Sequence, residues 1–285
     1  MNQMLKLCMT ILLLPGLLWA GAKPDLTFTG TFIQGGLVQG KTSPGAIVKV
    51  GGKPVRVSES GLFLVGFGRD AAAESLVQVS YPDGQMAKQV LKVAKREYKI
   101  QRIDGLPKRK VTPRSKEDLE RIRKEAALSR KARELDDPRT DFLAGFVWPV
   151  EGRISGVYGS QRILNGKPRR PHFGVDIARP TGTPVKAPAA GVVTMAHPDM
   201  FFSGGTLILD HGHGLSSSFL HLNRILVKEG DVIKQGDVIA EVGATGRVTG
   251  AHLDWRMNLF KARVDPQLLV PPMPPQKQAK KAVGM

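Results

Sequence analysis

The chain has 285 residues, enough for one large or two ordinary domains, and its 41% hydrophobic and 24% charged residues are the balance of a globular protein. Forty-two Lys and Arg against 25 Asp and Glu leave a net charge of +17, which favours an anionic partner such as nucleic acid, a membrane surface or a cell-wall polymer. A single cysteine, Cys8, excludes a fold stapled by disulfides.

Residues 1–6 carry one positive charge, residues 7–19 are nearly all apolar, and Ala20, Gly21 and Ala22 offer a small-x-small cleavage site. This predicts a signal peptide over residues 1–22 and export to the periplasm or cell envelope, with no stable transmembrane segment after cleavage. The apolar run is shorter than the ~20 residues a spanning helix needs, and Pro15 and Gly16 would break one. Export argues against nucleic acid as the partner.

Residues 23–104 read as a small N-terminal β-sandwich. Short apolar runs at residues 27–29, 46–50, 62–65, 76–79 and 89–93 are separated by Gly and Pro turn signals, and Tyr81, Pro82, Asp83 and Gly84 mark a tight hairpin. No histidine falls there and no acidic cluster has ligand spacing, so a structural or wall-targeting module is expected. Residues 105–141 read as a basic, helical linker. Ser115 and Asp118 have capping-box spacing, Leu119, Ile122 and Ala126 form one narrow apolar stripe, and Leu128, Ala132 and Leu135 form another. Residues 142–270 turn to Gly, Val and Pro, with buried-strand patterns at 191–193, 206–209 and 238–242. Residues 271–285, rich in Pro and Lys, read as a disordered basic tail. The fold class is therefore predominantly all-β, with one charged helix between two β-rich parts.

All six histidines lie between His172 and His252. His172 and Asp176 are four apart. On a straight strand that is ~13 Å, too far for both to reach an ion at ~2 Å, so a bend at Gly174 is required, where glycine tolerates unusual backbone angles. His252 and Asp254, at i and i+2 on a strand, share a face. Strand alternation places His221 beside Phe219, and Leu220 beside Leu222.

These stretches together resemble the lysostaphin-like, LytM-type family of zinc endopeptidases over residues 148–269. The resemblance rests on Trp148-Pro149-Val150, His172-x-Gly174-Val175-Asp176, Pro180-x-Gly182-Thr183-Pro184-Val185, Asp210-His211-Gly212-x-Gly214, His221-Leu222, and Gly243-x-Thr245-Gly246 before His252-Leu253. It implies a β-rich peptidase domain that hydrolyses the peptide part of peptidoglycan. It also implies one zinc ion held by His172 and Asp176, with His221 and His252 assisting catalysis. The family's third ligand is a histidine where this chain has Asp254. Aspartate can ligate zinc, but two carboxylates neutralise the ion and acidify its water less. His197, His211 and His213 are expected to be structural or surface residues.

Two other classes compete with the enzyme reading. A degenerate relative would bind wall material and activate a separate amidase, but it should lack several site residues, and this chain keeps four of the five. A biotinyl or lipoyl carrier is suggested by residues 227–238, yet no hairpin-tip lysine signature accompanies them.

Overall fold

The computed structural model describes residues 26–103, 115–164 and 166–275; the expected signal peptide, residues 105–114 of the linker and residues 276–285 of the tail lie outside them. Eight strands come first: β1 Thr27–Gly30, β2 Leu37–Lys41, β3 Ile47–Val50, β4 Lys53–Val55, β5 Leu62–Gly66, β6 Glu74–Ser80, β7 Met86–Lys92 and β8 Ile100–Ile103. Strands β1-β2-β5 form one sheet and β4-β3-β6-β7 another. Val38, Phe63 and Val65 of the first meet Val48, Val77, Val79 and Leu91 of the second, so alternate apolar residues face inward and a sandwich results. The hairpin between β6 and β7 closes at the expected residues, with Gly84 N–H donating to Tyr81 O.

The helix α1 spans Lys116–Lys131, and Ser115 Oγ caps it by accepting from Asp118 N–H. The helix buries no residue of its own, yet it is tied to the sheet beside it. Arg121 pairs with Asp199 at 2.9 Å, Glu125 accepts from Phe201 N–H, and Ala132, just past its end, packs on Met195, Met200 and Ile208. One face is therefore docked, while Leu119, Leu128 and Leu135 stay exposed. Among the described residues, no helix is long and apolar enough to cross a membrane.

The remaining strands are β9 Arg153–Gly156, β10 Gln161–Leu164, β11 Lys167–Pro168, β12 Val175–Ala178, β13 Pro184–Lys186, β14 Gly191–Met200, β15 Gly204–Asp210, β16 Leu215–Leu222, β17 Arg224–Ile225, β18 Val232–Ile233, β19 Val238–Glu241, β20 His252–Leu259 and β21 Ala262–Val264. The main sheet runs β18-β14-β15-β16-β20-β12-β9, and β21 adds to β20. On one face Leu207, Phe219, Leu253 and Trp255 bury against Val185 and Ile239 of the small sheet β13-β19-β17 and Val242 just past it. The other face carries Ile208, Ser218, Asp254 and Asp176, and α1 lies on that side. Both faces of β15 and β16 are thus covered, which is why these strands are buried along their whole length.

The two β-rich parts are joined by more than the linker. Leu37 and Leu64 share a core with Leu259 and Val264, Arg96 pairs with the buried Asp265 at 2.8 Å, and β8 runs parallel to β10.

Candidate metal centre

Strand register brings the acidic pair together. Asp176 on β12 lies directly opposite Asp254 on β20, so both carboxylates leave the same face of the sheet. His172 reaches them from the loop before β12. That loop is pinned by His172 N–H donating to Ser160 O and Gly159 N–H donating to His172 O. The chain bends at Gly174, as the spacing requires, but not through an unusual angle: Gly174 is absent from the positive-φ glycines. Space is the reason instead. A Cβ there would lie 2.5 Å from Trp255 O and 2.7 Å from Asp254 Oδ1.

One nitrogen of His172 and one oxygen each of Asp176 and Asp254 lie within 4.8 Å of one another. His172 Nε2 is 3.2 Å from Asp176 Oδ1, and both atoms are buried without a hydrogen-bond partner. An imidazole nitrogen and a carboxylate oxygen, both orphaned and facing each other, suit a shared cation, so these donors fit zinc.

His252 and His221 stand beside this trio. His252 Nε2 is 3.7 Å from Asp176 Oδ1, and the His221 and His252 rings are 5.0 Å apart between centroids. His221 is not placed by alternation, contrary to the sequence reading. Its φ is +64°, and the pairing of β15 with β16 shifts register between Gly205 and Leu207, opposite an extra residue on β16. This bulge turns His221 away from the core face that Phe219 fills and onto the face shared by Leu220, opposite Asp254. A histidine at positive φ is strained, and bulges of this kind gather at active sites.

The hydrogen bonds set the tautomers. His221 Nδ1 faces Thr245 O at 2.9 Å and His252 Nδ1 faces Gly250 O at 2.9 Å. A carbonyl only accepts, so both rings carry their proton on Nδ1 and keep Nε2 free as a base. Thr245 is itself braced, its hydroxyl donating to Leu222 O and accepting from Gly205 N–H. Burial pushes His221 below the ordinary imidazole pKa, against the opposing pull of Asp254.

Arg256 escaped the sequence reading. It sits two residues beyond Asp254 on β20, on the same face, and its Nε lies 2.9 Å from Asp254 Oδ1 and 3.1 Å from Oδ2. The i, i+2, i+4 series His252, Asp254, Arg256 was the available signal. Burial favours the neutral acid of Asp254, but the guanidinium outweighs it and holds the carboxyl below its usual range. His197, His211 and His213 belong to no group of three metal donors among the described residues. His211 bridges Ala190 O and Ser217 Oγ inside the β15–β16 turn, and His197 Nδ1 accepts from Asp199 N–H.

The sequence profile of peptidase family M23 matches residues 170–266. A Pseudomonas aeruginosa structure solved as a candidate M23 peptidase superposes with a TM-score of 0.66 and 32% identity, covering 84% of this chain and 94% of that one. The chain belongs to peptidase family M23. Among curated M23-like relatives, a Vibrio cholerae protein named peptidoglycan DD-endopeptidase ShyA is 37% identical over 136 residues, 44% of this chain and 31% of that protein. A Neisseria meningitidis protein named DD-carboxypeptidase/endopeptidase Mpg is 38% identical over 133 residues, 47% of this chain and 30% of its own length. The chain therefore spans under a third of the length of these relatives.

Proposed function

We propose that this chain is a zinc metalloendopeptidase that hydrolyses peptide stems or cross-bridges of bacterial peptidoglycan. It is exported through a signal peptide over residues 1–22 and works in the periplasm or cell envelope. Residues 23–104 are its N-terminal module, 105–141 its linker, 142–270 its peptidase domain and 271–285 a basic tail. The observation that carries this reading is the convergence of three metal donors, His172, Asp176 and Asp254, beside two histidines with free Nε2 atoms. The names of the relatives support the substrate class.

Bound zinc would polarise the scissile carbonyl and acidify a water molecule. His221 and His252 divide the proton work: one takes the proton at Nε2 and passes it to the leaving amine, and the other steadies the oxyanion. Arg256 answers the difficulty raised by a second carboxylate. Its two-point contact cancels the charge of Asp254, so the set carries a single net negative charge, as it would with a histidine in that place. Each carboxylate oxygen has a second lone pair, so Asp254 can serve both the guanidinium and the ion.

Four proteins test this by bound zinc and peptidoglycan cleavage: the natural chain, Asp254→Ala, Asp254→His, and Asp254→His with Arg256→Gln. The natural chain should hold one zinc and the Ala variant should lose it. Asp254→His alone should bind weakly, because it leaves an unpaired guanidinium beside a cation, and the double variant should recover. A natural chain that is metal-free and inert, with a histidine variant gaining both properties, would move it to the non-catalytic wall-binding class.

A further inference from the structure

Between α1 and the site face of the main sheet lies a cavity of about 820 Å³ that reaches His221. Its lining includes seven Arg or Lys side chains and only two Glu. Glu125 is already committed, accepting from Arg121 through one oxygen and from Phe201 N–H through the other, and Glu134 is exposed at the helix end.

Arg256 is paired with Asp254, but Arg133, Arg170 and Arg263 have no ion pair among the described residues. Arg133 has no hydrogen bond or ion pair from its side chain among the described residues, and Arg170 has only the face of Phe173, 5.9 Å from its guanidinium carbon to the ring centre. Arg263 donates to Asn258 Oδ1 and otherwise meets the same phenyl ring. Burial, and then the repulsion of neighbouring arginines, pushes Arg133 down to about 10 and Arg263 down to about 9. Gathering like charges in a half-buried space works against folding. A second feature points the same way. Ser218, 2% exposed and paired across the strands with Arg256, lines the cavity with a hydroxyl that has no partner.

Planar guanidinium forks and a spare hydroxyl are the groups that bind a carboxylate. We propose that this cavity is a carboxylate-binding subsite, in which Arg133, Arg170 and Arg263 with Ser218 hold the free carboxylates of an acidic peptide whose backbone passes His221. The volume suits a short peptide segment rather than a single small anion. The assignment rests on the peptidase reading and makes it specific: the chain prefers stem peptides with free carboxylates over the same peptides with those groups amidated.

Calorimetry on the full zinc-loaded protein tests binding separately from cleavage. The probes are a synthetic peptide with two free carboxylates and its bis-amide. The natural protein should bind the diacid about ten-fold or more tightly than the bis-amide. Arg133→Gln and Arg263→Gln should remove most of that preference, raise KM for the diacid more than they lower kcat, and leave thermal stability equal or higher. Lys53→Gln, an exposed charge change in the N-terminal sandwich, should keep the preference. Equal binding of diacid and bis-amide by the natural protein would overturn the subsite. So would arginine variants that keep the preference or are destabilised. If the diacid binds as expected but is never cleaved, the subsite stands and the peptidase reading fails.

Discussion

At the scale of single residues, the decisive position is His221. A left-handed φ on a strand is a conformation that few side chains accept, and here it turns an imidazole out of a hydrophobic core. Asparagine tolerates that conformation better than alanine or a β-branched residue. His221→Asn should therefore fold normally and keep its zinc, yet lose turnover by ~10²-fold or more, the range for a general acid or base. Loss of stoichiometric metal in this variant would show that the ring holds the ion rather than moving protons. Four of the five candidate residues were legible because their types and spacing sit within motif-like runs, and Asp254 because it shares a face with His252. The bulge was not legible. It arises from register between β15 and β16, residues far apart in sequence, and alternation within one strand cannot reveal it. Arg256 was missed for a different reason: an arginine on a strand usually reads as solvent-facing, and only its contact with a buried carboxylate gives it meaning.

At the scale of elements, apolar runs marked strands such as β14, β15 and β19, whereas β16, buried along its whole length with Ser216, Ser217 and Ser218 in it, carries no such run. β2 was harder to see: its sequence LVQGK places a glycine where Phe63 packs, a cross-strand choice invisible locally. The turn between β15 and β16 shows how an element can carry a pH dependence. His211 is wholly buried and pushed down to about 4, whereas in an unfolded chain it titrates near 6.5. Between those values the unfolded chain takes up a proton that the folded one refuses. Its contribution is complete above about 6.5 and is lost as pH falls toward 4, by about 3 kcal/mol at most. Asp210 beside it, pushed up to about 6 by burial, works in the opposite sense, its contribution fading as pH rises through that value. The clean measurement is thus a difference. Denaturant midpoints of the natural protein and His211→Gln should converge as pH is lowered from 7 to 5. A constant gap would mean that His211 takes up its proton equally in the folded and unfolded states.

At the scale of the whole molecule, composition and strand-like runs suggested two β-rich parts with a charged helix between them. They could not reveal how the parts touch, because contacts between distant segments leave no periodicity. The linker region, for example, ends as a wall of the arginine-lined cavity. The N-terminal sandwich has a comparable reach. Arg69 Nε donates to Gly159 O at 2.8 Å, Tyr98 packs so closely on Gly159 that a Cβ there would lie 2.0 Å from its ring, and Gly159 N–H holds His172 O. The candidate donor His172 is thus steadied through one intermediate residue by the N-terminal sandwich, whose described residues supply none of the three donors. Outer contacts of this kind commonly change metal affinity 10- to 100-fold. Arg69→Ala should loosen zinc by about ten-fold while the fold persists, read by competition with a chelator, and unchanged affinity would refute the linkage. A fragment cut at residue 142 would keep all three candidate ligands and both candidate proton carriers, yet is expected to release zinc to a chelator sooner than the parent chain, like a clasp complete in its parts but missing the hand that held it shut.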